Sequence, residues 1–414
     1  MRMISYSLGD TLRLHMEVHA SRFGLKPEDL FELAVRRNSK RSFLFVSRVL
    51  GKHLPIRPSA LLAAGKLLAL AYLGEEDTCG WADLFRGAQR PAADVWEMLE
   101  CSRHTIAEAD RTLFVGFAET ATGLARAVAD CFDGETAYIS TTRLEVPGRP
   151  FLTFDESHSH ARTHMLYLNP GDPFLAGCRQ AVLVDDELTT GNTALRLVRQ
   201  LHSAYGIRRF TLMSLLDNSA GDNRLALERE LNIEIRVVSL IRGRISGVEE
   251  GAMPDGCLTD LRGAAGAAAL LQDRRCGNLS DRFLQSAQDL AAQRARCREL
   301  AGCLGPAAPD ALFLGTGEFI YGPALTAFFC GGGRFHSTTQ SPVRPLSGSA
   351  VTCGVRFDPP DRYSGAGYLY NVPEKPCSAA FVFSERETLR LEGLSQLASY
   401  LESRGAEKVT VCAL

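Results

Sequence analysis

Short apolar runs alternate with helical segments through the middle of the chain. Runs that predict strands lie at residues 111–115, 136–140, 181–184 and 208–216, and helical patterns lie between them at 120–131 and 193–204. Apolar runs of four or five residues that alternate with helices are typical of a mainly parallel sheet with helices on both faces. The pattern therefore predicts an α/β fold whose ligands bind at the carboxyl ends of the strands.

The flanking segments are less regular. The first 110 residues predict a helical start, a strand at 43–46 and helices at 61–72 and 92–107. A Gly- and Ala-rich stretch at 245–280 predicts a connection, before a helix at 281–304 and further strands and helices.

A chain of 414 residues is too long for one ordinary core. We divide it into a first domain with an N-terminal hood (a segment that covers the ligand) at 1–245, a linker and helix at 246–300, and a C-terminal domain at 301–414.

Composition narrows the class of protein. The hydrophobic fraction of 45% and the charged fraction of 23% are typical of soluble globular proteins. A net charge of −2 disfavours nucleic acid as a partner. The N-terminus lacks a signal-peptide pattern and no run of 18 apolar residues occurs, so we expect a cytoplasmic protein with no membrane contact. Twelve dispersed cysteines without a C-x-x-C pair predict reduced, mostly buried thiols.

The segment from Val182 to Ala194, VLVDDELTTGNTA, is the most informative. Its apolar run predicts a buried strand that ends in Asp185 and Asp186, whose carboxylates can accept hydrogen bonds from the vicinal hydroxyls of a ribose. The start of the next predicted helix can hold a phosphate dianion through backbone N–H groups and hydroxyls. The residues of this phosphate cup are Thr189, Thr190, Gly191, Asn192 and Thr193. A simple helix cap would explain the hydroxyls but not the adjacent acids.

This segment resembles the phosphoribosyl pyrophosphate (PRPP) signature of type I phosphoribosyltransferases, with Glu187 where that family normally has an aliphatic residue or Ser. The resemblance implies that Asp185 and Asp186 are catalytic, in the transfer of ribose 5-phosphate from PRPP to a nucleobase-like nitrogen acceptor with release of pyrophosphate. It also implies Mg²⁺ as cofactor, bound mainly through substrate oxygens, with the two aspartates as candidate protein ligands.

The resemblance further implies a pyrophosphate loop after the first core strand, formed here by Gly116, Phe117, Ala118 and Glu119. Gly116 would let the backbone approach the pyrophosphate closely. Arg143, after the next strand, would hold the pyrophosphate with its guanidinium. The alternatives are an ordinary turn glycine and a solvated loop arginine.

Flanking motifs resemble the phosphoribosyltransferase found with bacterial tellurium-resistance (stress-response) gene clusters. These motifs are NSKRSFLFVS at 38–47, GKHLP at 51–55, ESHSHA at 156–161 and GTGEF at 315–319. That family has a C-terminal domain named for a T-R-S-P motif, which reads Thr339-Gln340-Ser341-Pro342 here, without the arginine. The resemblance implies a nucleoside-like metabolite pathway, with enzymes of the same cluster as candidate partners.

Four residues are candidates for contacts with the acceptor or for the hood: Lys52, His53, His158 and His160. His158, His160 and His164 lie within seven residues, which is compatible with a metal site. The loop lacks fixed carboxylate partners, so we expect a hood that contacts substrate instead.

The C-terminal part repeats features of the central part. The run Leu113 to Gly116 recurs 199 residues later as Leu312 to Gly315, and Glu119 recurs as Glu318 at the same offset. We hypothesise that the C-terminal domain is a second, degenerate copy of the core. Such a copy would form an internal pseudo-dimer, and the alternative assembly is a homodimer.

Two functions without catalysis stay open at this point. One is a regulator that senses PRPP or a nucleotide, and the other is a scaffold that recruits partner enzymes through the C-terminal half.

Overall fold

The computed structural model describes residues 2–36, 41–146, 152–155, 163–168, 171–252, 256, 258–263, 270–271, 281–373 and 377–414. Up to residue 110 the elements are β1 Arg2–Leu8, β2 Leu12–Ser21, α1 Pro27–Leu30, β3 Phe31–Arg36, β4 Phe43–Ser47, α2 Pro58–Leu73, α3 Trp81–Phe85, α4 Ala92–Cys101 and β5 His104–Ile106.

The central elements are β6 Thr112–Gly116, α5 Thr122–Ala129, β7 Phe132–Gly134, β8 Thr136–Ser140, β9 Leu152–Asp155, β10 Thr163–Leu166, α6 Pro173–Ala176, β11 Gln180–Leu188, α7 Asn192–Tyr205, β12 Arg209–Asp217, α8 Asp222–Leu231 and β13 Glu234–Glu250. The C-terminal elements are β14 Thr259–Asp260, β15 Leu270–Leu271, β16 Gln285–Ser286, α9 Ala287–Leu304, β17 Leu312–Gly315, α10 Tyr321–Phe329, β18 Arg334–Ser337, β19 Val343–Arg344, β20 Gly354–Phe357, β21 Gly367–Tyr370, β22 Ala380–Ser384, α11 Leu391–Ser403 and β23 Val409–Ala413.

The larger sheet has the order β1-β2-β13-β12-β11-β6-β8-β16 among the described strands. Its middle strands, from β13 to β8, are all parallel, and β2 and β16 are added antiparallel at the two sides. Apolar side chains pack on both faces of these strands. The predicted α/β fold with a mainly parallel sheet is therefore confirmed.

The predicted helical start is wrong, because the chain begins with the antiparallel strands β1 and β2. Leu12, Leu14 and Met16 are fully buried, whereas the side chains between them are more exposed. This alternation has the period of a strand.

Three element boundaries also differ from the prediction. The helix at 92–107 ends at Cys101, and the predicted connection is shortened because β13 continues to Glu250 as the partner of β2. The helix predicted at 281–304 begins at Ala287, because Ser286 and Asp289 form a capping box at its N-terminus.

A second sheet, in the C-terminal part, has the order β15-β23-β22-β17-β18, and all its described pairings are parallel. Its order β23-β22-β17-β18 matches the order β12-β11-β6-β8 of the first sheet. The helices between the corresponding strands also match, since α5 and α10 follow β6 and β17, and α7 and α11 follow β11 and β22.

One continuous apolar core joins the two sheets. The helix α2, almost entirely buried, packs against α5 and α10 within this core. Gly65 permits the close crossing with α5, because a Cβ at this position would lie 2.6 Å from the Cβ of Ala127. The C-terminal part is therefore packed against the first domain over a large apolar surface. In the part of the chain that the structure describes, no helix combines the length and apolarity needed to cross a membrane.

Candidate functional site

A polar cavity of about 260 Å³ opens beside the carboxyl ends of β6, β8 and β11. The tertiary structure brings to it most of the residues that the sequence singled out. The predicted site residues that line it are Lys52, His53, Phe117, Ala118, Glu119, Arg143, Asp185, Asp186, Thr189 and Thr193. Segments more than 100 residues apart in the sequence thus meet in one cavity.

Asp185 and Asp186 lie in the carboxyl-terminal half of β11, which continues to Leu188, and they are partly exposed to this cavity. The backbone N–H of Asp186 donates to Oδ1 of Asp185 over 2.9 Å. Burial raises the pKa of both carboxyls, and for Asp185 the neighbouring charge of Asp186 raises the pKa further. Two carboxylates placed so close favour a bound cation or hydroxyl donors beside them.

The phosphate cup forms the turn from β11 into α7. Gly191 has the left-handed φ of 71° and is the N-cap of the helix, which begins at Asn192. Thr189 and Thr193 line the cavity, whereas Thr190 is exposed, with its hydroxyl 3.4 Å from the N–H of Asn192. A left-handed glycine between small hydroxylated residues places the helix N-terminus at the cavity.

The predicted pyrophosphate loop follows β6 on the other side of the cavity. Its first N–H groups are already bonded within the fold, because Phe117 N–H donates to the Val184 carbonyl (3.0 Å) and Ala118 N–H to Oγ1 of Thr141 (2.8 Å). The peptide bond between Ala118 and Glu119 is cis. Contacts of this loop with an anion therefore fall to the residues after Ala118 and to nearby cations.

Gly116 permits the close packing of α5 against β6. It does not line the cavity, and a Cβ at this position would lie 2.8 Å from the Cβ of Ala125 in α5. That the glycine also lets the backbone approach a pyrophosphate stays a prediction.

Glu119 is the centre of a buried charge cluster. Its Oε1 lies 2.5 Å from Nζ of Lys52, and its Oε2 lies 3.8 Å from Nη1 of Arg143. Burial alone would raise the pKa of the Glu119 carboxyl, but the charges of Lys52 and Arg143 outweigh burial, so its pKa lies below the ordinary value. Burial lowers the pKa of Lys52 in spite of this partner. Arg143 is thus held at the cavity and is not a solvated loop arginine.

Two histidines line the cavity. Burial lowers the pKa of His53 to about 3, which keeps its ring neutral. His164 is buried, with Nδ1 3.0 Å from the Thr141 hydroxyl and its ring stacked on Phe154. His158 and His160 lie outside the described residues. Within the described ranges, no group of three or more His, Cys, Asp or Glu side chains is placed to hold a metal ion.

The prediction from sequence missed the contact between Arg41 and Glu187. The guanidinium of Arg41 lies 2.8 Å from Oε2 of Glu187 and packs over the ring of Phe43, and Asn218 Nδ2 donates to Oε1 of Glu187. The segment that leads into β4 is thereby connected to the strand that carries the acid pair. The only signal for this contact was the departure at Glu187 from the phosphoribosyltransferase signature.

The C-terminal domain also contributes to the cavity wall through Thr339 and Ser341. These residues belong to the stretch in which the T-R-S-P motif was recognised. No local pattern in the sequence indicates that this stretch lines the same cavity as the acid pair.

Two family models match the chain. A family model described as "Phosphoribosyl transferase" matches residues 30–244, just over half of the chain, and "TRSP domain C terminus to PRTase_2" matches residues 274–400. No curated protein matches the chain.

Solved structures give distant matches. The adenine phosphoribosyltransferase of Trypanosoma brucei, in complex with AMP, pyrophosphate and ribose-5-phosphate, is 14% identical over 51% of this chain and 77% of that one, with a TM-score of 0.30. The Giardia lamblia enzyme in complex with 9-deazaadenine is 16% identical over 52% and 95%, with a TM-score of 0.28. The orotate phosphoribosyltransferase of Aeropyrum pernix is 21% identical over 32% and 60%, with a TM-score of 0.18.

Proposed function

Because this chain belongs to the phosphoribosyl transferase family and carries the TRSP domain after it, we propose that it transfers ribose 5-phosphate from PRPP to a nucleobase-like nitrogen acceptor and releases pyrophosphate. The observation that carries the proposal is the meeting of the acid pair, Thr189 and Thr193 of the phosphate cup, and Arg143 in one cavity. A protein that only sensed ribose phosphate would not need the cations on the pyrophosphate side.

The acid pair and the cup would position the ribose 5-phosphate. The 5-phosphate would be bound by the N-terminus of α7 and the hydroxyls of Thr189 and Thr193. Asp185 and Asp186 would accept hydrogen bonds from the ribose hydroxyls and hold negative charge below the ring. As the bond from C1 to the pyrophosphate oxygen breaks, the ribose ring gains oxocarbenium character, as in glycoside hydrolysis. The negative charge of the two aspartates would stabilise the positive charge of the ring.

The pyrophosphate would leave on the side of Lys52 and Arg143, which lie on either side of the Glu119 carboxylate. Their positive charges would stabilise the negative charge that develops on the leaving group.

Mg²⁺ is the cofactor that the donor set fits. Asp185 and Asp186 supply hard oxygen donors whose raised pKa reflects burial and mutual proximity, and a divalent cation relieves that repulsion. These two residues would hold the ion, which neutralises pyrophosphate charge when bound. The remaining ligands would be oxygens of the substrate.

The acceptor would enter beneath the hood. Leu44, Phe45 and Ser47 of β4 line this side of the cavity together with the neutral His53. An apolar and aromatic wall beside neutral hydrogen-bonding groups suits a planar base.

The deciding experiment measures pyrophosphate release from PRPP and Mg²⁺ with a panel of nucleobases. We expect release with at least one base, and its loss in the double variant Asp185→Asn with Asp186→Asn. Tight PRPP binding without release across a broad panel would instead support the sensing regulator. An absence of PRPP binding would overturn both.

A further inference from the structure

The loops after β6 and β17, at corresponding places in the two sheets, make the same backbone hydrogen bonds. Phe117 N–H donates to Val184 O over 3.0 Å, and Thr316 N–H donates to Phe383 O over 3.1 Å, with both residues displaced by 199 positions. This agreement extends the shared strand order to individual hydrogen bonds.

Side-chain contacts agree in the same way. The hydroxyl oxygen of Thr141 accepts the N–H of Ala118 at 2.8 Å, and that of Thr338 accepts the N–H of Gly317 at 2.9 Å. The loop after β17 is therefore built as the loop after β6 is built.

The second core has replaced the ligand groups of the first. The positions that correspond to Asp185 and Asp186 are Ser384 and Glu385. Glu385 is buried and forms an ion pair with the buried Arg282, which precedes α9. Of the two positions, only Glu385 still carries an acid, and the guanidinium of Arg282 already neutralises it.

The two loops exchange hydrogen bonds across the domain interface. Oε1 of Glu318, in the second loop, accepts the N–H of Arg143 at 2.9 Å, and its Oε2 accepts the hydroxyl of Thr142 at 2.5 Å. Glu119, in the first loop, accepts the N–H of Gln340, the counterpart of Arg143, at 3.3 Å. This is a reciprocal pattern, as between the subunits of a symmetric dimer.

Lys52 joins the same interface, because its ammonium group donates to the Gly317 carbonyl and also contacts Glu119. The strand β19 pairs with β3 and so attaches the hood to the C-terminal domain. Lys52 and Arg143, the two cations on the pyrophosphate side of the cavity, are thus both held by contacts with the C-terminal domain.

We infer that the C-terminal domain is a second phosphoribosyltransferase-like core without its own substrate, which acts as a built-in second subunit and completes the pyrophosphate side of the first site. Glu318 is the positioning residue: it fixes the backbone of Arg143 and so aims the guanidinium that holds pyrophosphate. This inference rests on the proposed function, and it concerns one half of the ligand.

The test separates the two halves of PRPP. Calorimetric titrations of the full chain with Mg²⁺ use inorganic pyrophosphate and ribose 5-phosphate as separate probes, on the wild type and on Glu318→Gln and Glu318→Ala. The substitutions remove hydrogen bonds to the Glu318 carboxylate beside Arg143, on the pyrophosphate side of the cavity. We therefore expect the Kd for pyrophosphate to rise about tenfold and that for ribose 5-phosphate to change by less than about twofold. Glu402→Gln, an exposed substitution in the same domain, is the matched control and should change neither.

An equal loss of both affinities would reduce Glu318 to a structural role and overturn the inference, and so would unchanged pyrophosphate binding. The wild type provides a second measurement that needs no variant. We expect one ribose 5-phosphate per chain, and two per chain would contradict a second core without substrate. A wild type that binds neither probe would instead refute the proposed function itself.

Discussion

The ammonium group of Lys52 lies 2.5 Å from Oε1 of Glu119, and the exposed fractions of the two side chains are only 2% and 6%. A buried ion pair of this kind is costly to break, because removal of one partner leaves an uncompensated charge in a poorly solvated place. The sequence predicts Lys52 as a residue of the acceptor contact or of the hood, and Glu119 as part of the pyrophosphate loop. In the structure the two residues form a single buried ion pair.

Lys52→Met should therefore destabilise the protein by about 3 kcal/mol, because Glu119 would remain buried with only the more distant Arg143 as counter-charge. The measurement is the free energy of unfolding in urea. The double variant Lys52→Met with Glu119→Gln should recover part of this loss, since no buried charge is then left unpaired. A double variant as unstable as the sum of the two single variants would contradict the coupling.

Asp185→Asn should abolish transfer and at the same time stabilise the fold near pH 7. The native pKa of Asp185 is raised by burial and by Asp186, so the native state binds more protons than the unfolded state between the two pKa values, and stability falls as pH rises through that window. A difference of one pH unit between the native and the unfolded pKa corresponds to about 1.4 kcal/mol in the free energy of unfolding. The asparagine keeps an oxygen for the N–H of Asp186 and removes this penalty.

The check for Asp185→Asn is the midpoint of thermal unfolding as a function of pH. The gain over the wild type should be largest at neutral pH and vanish at acidic pH, where the wild-type carboxyl is protonated in both states. Asp94→Asn, an exposed substitution in α4, is the control and should show no such pH dependence. A gain that persists unchanged at acidic pH would exclude the carboxyl pKa as its cause.

Glu187→Ala should loosen the hood without removing PRPP binding. The partly buried pair of Arg41 and Glu187 joins the segment just before β4 to β11. We expect a coupling free energy of about 1 kcal/mol in a double-mutant cycle with Arg41→Ala. Faster amide hydrogen exchange over residues 43–47 reports the loosening. Exchange at the wild-type rate would mean that the pair does not hold the hood.

Gly116→Ala should cost about 1–3 kcal/mol in unfolding free energy, because the new methyl group overlaps Ala125 across the contact between β6 and α5. Ala125→Gly in the same chain should restore part of the loss by making room for it. If the double variant regains stability but not PRPP binding, the glycine has a ligand role after all, and the packing explanation is incomplete.

The sequence by itself determined the parallel α/β core and the acid pair with its phosphate cup. Both are local: an apolar run, the carboxylates at its end and a glycine that opens a helix all lie within the segment from Val182 to Ala194. The spacing of residues along one strand and one turn dictates their geometry with little help from the rest of the chain. The strand-like alternation at Leu12, Leu14 and Met16 was equally local, and the prediction of a helical start there was an error of interpretation.

Only the tertiary structure decided which distant residues complete the site. Three pairs illustrate this: Lys52 and Glu119, Arg41 and Glu187, and Glu318 and the backbone of Arg143. The partners are separated by 67, 146 and 175 positions. No local pattern encodes such contacts. The first two depend on how the N-terminal segment packs against the core of the first domain, and the third depends on how the two cores pack against each other. An ion pair or a hydrogen bond between residues far apart in the sequence can be predicted only when the packing of the two segments is known.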